Sequence, residues 1–189
     1  MENNAVNFFN KFKLRITEDK YLDLYKNNSE FTDFVTKEIN EIIREMGYTS
    51  QNEYFRIDAT GWISKADSIK DLAKENEMNP HLWDLKIAVE HENNQFDWTD
   101  ELIKLVHIRC PLKVIISYNY CDRRDDLEYQ RLSFAAECMN KTDAFDNNSS
   151  EEYLIILGNC YSKNKDYTNF DYRGYIYNYE YKNFMAIKQ

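Results

Sequence analysis

The stretch Trp83-Asp84-Leu85-Lys86-Ile87-Ala88-Val89-Glu90-His91-Glu92-Asn93 decides how the chain is read. Trp83, Leu85, Ile87 and Val89 fall on one parity, and Asp84, Lys86, Glu90 and Glu92 on the other. Successive strand side chains point to opposite faces, so this pattern is a strand with one face in a core and the other holding several charges side by side. Carboxylates two residues apart on one face repel each other. A divalent cation or a clustered Lys or Arg relieves that repulsion most simply. What lies opposite Glu90 and Glu92 therefore decides the chemistry.

Working outward, the 189 residues are 43% hydrophobic, enough to bury one sizeable core. Two Pro and four Gly leave no Pro/Gly-rich linker, so 1–189 reads as a single domain, with a core over about 32–160 and a tyrosine-rich strand extension over 161–189. The start, Met1-Glu2-Asn3-Asn4, lacks a basic region followed by an apolar run, and no segment has the apolar length of a membrane span. A cytoplasmic protein is expected. Cys110, Cys121, Cys138 and Cys160 show no Cys-x-x-Cys pairing and read as reduced thiols. A net charge of −9 disfavours a protein that coats nucleic acid by broad phosphate neutralisation, though an acidic site with local basic patches fits.

Upstream of the decisive strand, Phe8, Phe9, Phe12 and Leu14 suggest a short helix or arm within residues 1–20. Phe31, Phe34, Val35, Ile39, Ile42, Ile43 and Met46 recur at spacings of three and four and predict an amphipathic helix over 32–46, ended by Gly47. Residues 53–63 alternate, with Phe55, Ile57 and Ile63 on one parity and Arg56, Asp58 and Thr60 on the other, and read as one strand. Downstream, Trp98, Leu102, Leu105 and Val106 form the inner face of a helix over 97–109, while Glu101, Lys104 and Ile108 lie on another side. A strand over 112–118 follows, then a helix over 125–139 and a strand over 152–158. In the tail, Tyr175, Tyr177, Tyr179 and Tyr181 alternate strictly, a pattern of packing or a dimer surface more than of base stacking. The expected fold class is mixed α/β, a central mixed sheet flanked by helices in the order helix, strand, strand, helix, strand, helix, strand. No glycine-rich phosphate loop follows any strand.

Asp58 shares the polar parity of its strand as Glu90 and Glu92 share theirs. If the two strands pair, the three carboxylates converge on a hard-oxygen site suited to Mg²⁺ or Mn²⁺, an ion able to activate water and neutralise a leaving oxygen. Arg56-Ile57-Asp58 and Ile87-Ala88-Val89-Glu90-His91-Glu92 together resemble the two acidic strands of the PD-(D/E)XK nuclease superfamily, the restriction-endonuclease-like fold whose core runs helix, three strands, helix and strand. The resemblance spans roughly 32–160. It implies that Asp58 and Glu90 are metal ligands, with the carbonyl of His91 as another, and that Glu92 stands where the family usually has lysine. Lys104 is then the candidate for a lysine that has migrated, with Lys86 as its rival; an alternative alignment takes Asp84-Leu85-Lys86 as the second element. An additional acid on the first helix corresponds best to Glu38, with Glu41 and Glu45 as competitors.

The implied activity is metal-dependent hydrolysis of nucleic-acid phosphodiesters, DNA more than RNA. Asp58, Glu90, Glu92 and Lys104 are catalytic in that reading, and Lys86, Arg123, Arg124, Lys163 and Lys165 are candidate phosphate contacts. The His91 ring lies on the apolar parity, the place of a satisfied core residue. The rival reading is a non-enzymatic binding or inhibitory protein on the same scaffold, its acidic surface mimicking nucleic acid and its tyrosines supplying an interface, for instance a homodimer. A hydrolase of small phosphates is a weaker third.

Overall fold

The computed structural model of the chain describes residues 3–17, 24, 28–94, 96–120, 125–147, 150–160 and 171–188. Its helices are α1 (Asn4–Arg15), α2 (Asn28–Glu45), α3 (Lys70–Glu75), α4 (Trp98–Val106) and α5 (Asp125–Lys141). Its strands are β1 (Thr49–Tyr54), β2 (Ile57–Ser64), β3 (Trp83–His91), β4 (Leu112–Tyr120), β5 (Glu152–Cys160), β6 (Tyr172–Asn178) and β7 (Asn183–Ala186). The strands form one seven-stranded sheet in chain order, β1-β2-β3-β4-β5-β6-β7. β3, β4 and β5 run parallel, whereas every pairing outside them is antiparallel. The molecule is thus a mixed α/β fold with a central sheet flanked by helices.

Parallel strands need crossover connections, and α4 and α5 supply them. The central strands are covered on both faces and consequently read as near-continuous apolar runs, as Val114-Ile115-Ile116 and Leu154-Ile155-Ile156-Leu157 do. On one face, Phe8, Phe9 and Phe12 of α1 and Val35, Ile39, Ile42 and Ile43 of α2 pack over Val89, Val114 and Ile116. On the other, Trp98, Leu102 and Leu105 of α4 and Leu132, Ala135 and Met139 of α5 pack over Ala88, Ile115 and Ile155. Each fully buried Leu, Ile or Phe contributes about 1.5–3 kcal/mol of transfer free energy, so both layers are needed. Two end devices orient the first layer. Asn3 caps α1 from Val6 N at 3.1 Å, and the Glu152 carboxylate on β5 accepts from Ala5 N at 2.8 Å, tying the helix start to the sheet. Gly47, at φ +87°, closes α2, with Tyr48 N donating back to the Ile43 carbonyl at 3.2 Å.

One expectation needs correction. Residues 53–63 are not one strand: they hold the tip of a hairpin, with Tyr54 opposite Ile57 and a two-residue turn at Phe55-Arg56. Both turn residues have positive φ, 53° and 61°, the primed geometry that matches the twist of a hairpin. The described tail tyrosines show the packing that their alternation suggests: Tyr175 and Tyr177 are buried against the α5 layer, Phe145 touches Tyr177 edge-on and stacks with Tyr179, and Tyr181 is well exposed.

Candidate functional site

β2 pairs antiparallel with β3, Ala59 opposite Val89, and this register sets Asp58 across from Glu90 at the end of the ladder. Asp58 Oδ2 accepts a hydrogen bond from His91 N at 2.8 Å. Glu90 points toward the α4 layer. Its side chain is 2% exposed, and its Oε1 lies 2.7 Å from Lys104 Nζ. Lys104 also forms an ion pair with Glu101, one turn earlier on α4, and donates to the Arg56 carbonyl at 3.0 Å. Three elements therefore meet here: the hairpin turn, the end of β3 and the middle of α4.

The electrostatics of this meeting are unbalanced. Asp58, Glu90 and Glu101 bring three carboxylates to one ammonium. Glu90 Oε1 and Glu101 Oε2 are buried and face Lys104 without the alignment of an ordinary hydrogen bond. Burial pushes the Glu90 carboxyl up to about 8, against the pull of Lys104 and with Asp58 and Glu101 adding to the rise. Burial opposes the charge on Lys104, but Glu101 and Glu90 outweigh it and raise its pKa. At neutral pH a proton on Glu90 takes up part of the excess negative charge. A divalent cation could take up the rest, and the carboxylates of Asp58, Glu90 and Glu101 are hard-oxygen ligands of the kind such an ion prefers.

The other candidate residues are placed as follows. Glu92 Oε1 accepts from Asn94 N at 2.6 Å and closes the turn after β3. The His91 ring faces the opposite layer, bonded to Tyr118 Oη at 2.8 Å, and burial lowers its pKa to about 4, so only the His91 backbone borders the site. Glu38 is a correction: its carboxylate pairs with Arg15 at 2.8 Å on the α1–α2 side of the sheet, away from Glu90. Its competitors are similarly engaged, Glu45 by Arg15 and Lys11, and Glu41 by Arg44. Lys86 is the second correction. A register shift between Gly61 and Trp62 leaves it out of the ladder, and it pairs with Asp84 at 3.2 Å, which Lys65 also holds at 2.5 Å. Neither Lys86 nor the Asp84-Leu85-Lys86 alignment reaches Glu90. Arg123, Arg124, Lys163 and Lys165 lie outside the described residues.

Glu101 is a member of the cluster that the sequence reading assigns only to an outer helix side. The signal was its position three residues before Lys104, which puts both on one helix face. A second buried carboxylate, Glu128, was not identified at all. Arg173 grips it with two bonds, Nε to Oε1 at 2.7 Å and Nη2 to Oε2 at 2.6 Å, and Tyr175 Oη and Asn119 Nδ2 complete its shell. Its partners come from β4 and β6, separations that no local pattern reveals.

Among the described residues no group of three or more His, Cys, Asp or Glu is arranged to hold a metal, and no helix is long and apolar enough to cross a membrane. No family model, curated protein or solved structure matches the chain.

Proposed function

We propose that this chain is a metal-dependent nuclease of the restriction-endonuclease-like kind, hydrolysing nucleic-acid phosphodiesters, DNA in preference to RNA. The observation that carries the reading is the convergence of Asp58, Glu90 and Lys104 from β2, β3 and α4. The element order α2-β1-β2-α3-β3-α4-β4 is compatible with it when the short α3 is counted as part of the β2–β3 connection, since helix, three strands, helix and strand is the core of that fold. Asp58 and Glu90 would hold Mg²⁺ or Mn²⁺, with Glu101 and Glu92 within the same acidic surroundings. Bound there, the ion supplies a lowered water pKa and neutralises charge on the phosphate. To serve as a ligand Glu90 would have to be ionised, and the positive charge of such an ion would favour that form. Lys104, held by Glu101 and the Arg56 carbonyl, fills the role of the family's lysine and stabilises the charge that builds in the transition state. Glu92, at the exit of β3, would orient water.

The test is cleavage of plasmid by purified protein in Mg²⁺ or Mn²⁺. Asp58→Asn and Glu90→Gln should each lower the rate by at least about 100-fold, the cost of removing one charge-stabilising group. Cleavage that survives both substitutions overturns the assignment. A second reading, a binding or inhibitory protein on this scaffold, draws support from one observation: Lys104 already sits between Glu90 and Glu101 where a cation would go. It predicts intact folding, no metal uptake and no cleavage.

A further inference from the structure

Beside this cluster lies a pocket of about 520 Å³, within the range of small-molecule sites, whose walls include Tyr54 and Phe55 from the hairpin tip, Trp83 from the start of β3, and Lys86 and Arg109. Tyr54 ends β1 and Trp83 begins β3, two strands separated by β2, yet their rings meet edge-on at 5.5 Å. The β2–β3 register shifts between Gly61 and Trp62, and the hairpin tip and the start of β3 both line the pocket.

Charge and strain both bear on what the pocket takes. Asp84 is the acid in its lining, and Lys65 at 2.5 Å and Lys86 at 3.2 Å already neutralise it. Arg109 is exposed and makes no ion pair among the described residues. Among the lining residues Lys86 and Arg109 against Asp84 leave one positive charge, and Lys65 pairs with Asp84 from outside the lining, in a chain whose net charge is −9. The turn that carries Phe55 is costly. Left-handed φ in residues other than glycine costs roughly 1–2 kcal/mol each, and Asn-Gly would make the same turn with little strain. Phe55 is 75% exposed, so burial does not offset that cost. The same turn is tied to the acidic cluster, because Lys104 Nζ donates to the Arg56 carbonyl. An aromatic wall with a cationic rim fits an anion that carries a flat ring.

We infer that this pocket receives an unstacked nucleotide of a single-stranded nucleic acid, its base against Tyr54, Phe55 and Trp83 and its phosphate on Arg109 and Lys86. The inference rests on the nuclease reading for its choice of ligand, and it narrows the substrate to single strands or to bases drawn out of a duplex. A base still stacked in a duplex cannot enter.

The experiment is fluorescence polarisation of a short labelled oligothymidylate in EDTA, where binding is read without cleavage. Phe55→Ala and Arg109→Ala, both at exposed positions, should each weaken binding by roughly 5- to 150-fold, as loss of one stacked base or its phosphate contact predicts, with melting temperatures held near wild type and Phe55→Trp retaining affinity. Equal affinity in wild type and both alanine variants overturns the inference. So does a duplex that binds as tightly as the single strand, or thymidine monophosphate that competes at the oligomer's own concentration. Phe55-dependent binding by a protein that cuts nothing in Mg²⁺ upholds the pocket and removes the nuclease reading. Cleavage accompanied by binding indifferent to Phe55 and Arg109 does the reverse.

Discussion

Glu90 and Glu128 are both buried glutamates on the α4–α5 side of the sheet, 1% and 6% exposed, and their carboxyls are driven in opposite directions. Burial alone would raise both. Around Glu128, Arg173, Tyr175 and Asn119 outweigh burial and hold the carboxyl below its ordinary value. Around Glu90, a single ammonium is shared with Glu101 while Asp58 repels, and the carboxyl rises to about 8. The contrast separates two uses of a buried charge. A carboxylate whose lone pairs are all met is part of the framework, whereas one short of positive charge is poised to take a proton or a cation.

The largest expected effect tests that division on stability. Glu128→Ala removes the two-bond partner of the Arg173 guanidinium, which keeps Asp171 at 3.0 Å, and should cost about 3–5 kcal/mol in urea unfolding, as breaking one partner of a buried pair does. Glu90→Gln keeps the shape and removes the shortfall of cations. It should cost less than about 1 kcal/mol at neutral pH and stabilise at higher pH. Equal penalties would erase the distinction.

A second effect is the pH profile. The Glu90 carboxyl has an ordinary value of 4.5 and one of about 8 in the fold, so the folded state binds the extra proton across that window. Its contribution is fully present below 4.5 and is lost as pH rises through about 8, a change on the order of a few kcal/mol. Glu90→Gln should flatten this decline in urea midpoints measured against pH. Glu128, with its carboxyl lowered, contributes stability above 4.5 that is lost on acidification, and Glu128→Gln should flatten only that acid limb.

Lys104→Met gives a smaller change in stability, about 1–3 kcal/mol at neutral pH, since it leaves Glu90 and Glu101 facing one another without a cation. Proton uptake by Glu90 limits the loss. Cleavage should fall by at least about 100-fold while Mn²⁺ affinity is kept or improved, a split that a purely structural lysine would not produce. Smallest is the turn: replacing Phe55-Arg56 by Asn-Gly should stabilise the fold by about 1–2 kcal/mol in thermal melts and weaken oligothymidylate binding.

Much of this fold was legible because its signals are periodic. The apolar spacing of α2 and α4, the alternation of β3 and the β-branched runs of β4 and β5 each report one element without knowledge of its neighbours. The β1–β2 hairpin was hidden because Phe55-Arg56 carries none of the Asn-Gly chemistry that marks such a turn, and its flanks alternate as a single strand does. The site was legible in part for the same reason. Asp58, Glu90 and Lys104 sit at parity and helix positions that sequence exposes, and the antiparallel register brings them together. Glu38 looked equally apt along its own helix, but its partner Arg15 comes from α1, and that pairing is tertiary. The displacement of Lys86 follows from a bulge at Gly61, where an added Cβ would lie 2.7 Å from Ile43 Cγ2. Glu128 belongs to the same class: its shell is assembled from β4, β6 and α5, and nothing in residues 125–141 announces it.

The most direct measurement is calorimetric titration of the protein with Mn²⁺ at pH 7 in two buffers of different ionisation enthalpy. Convergence of Asp58 and Glu90 on one cation predicts a single saturable site, release of a proton from Glu90 on binding, and loss of that site in Asp58→Asn and Glu90→Gln. No binding heat in wild type, or binding that both variants retain, would contradict it.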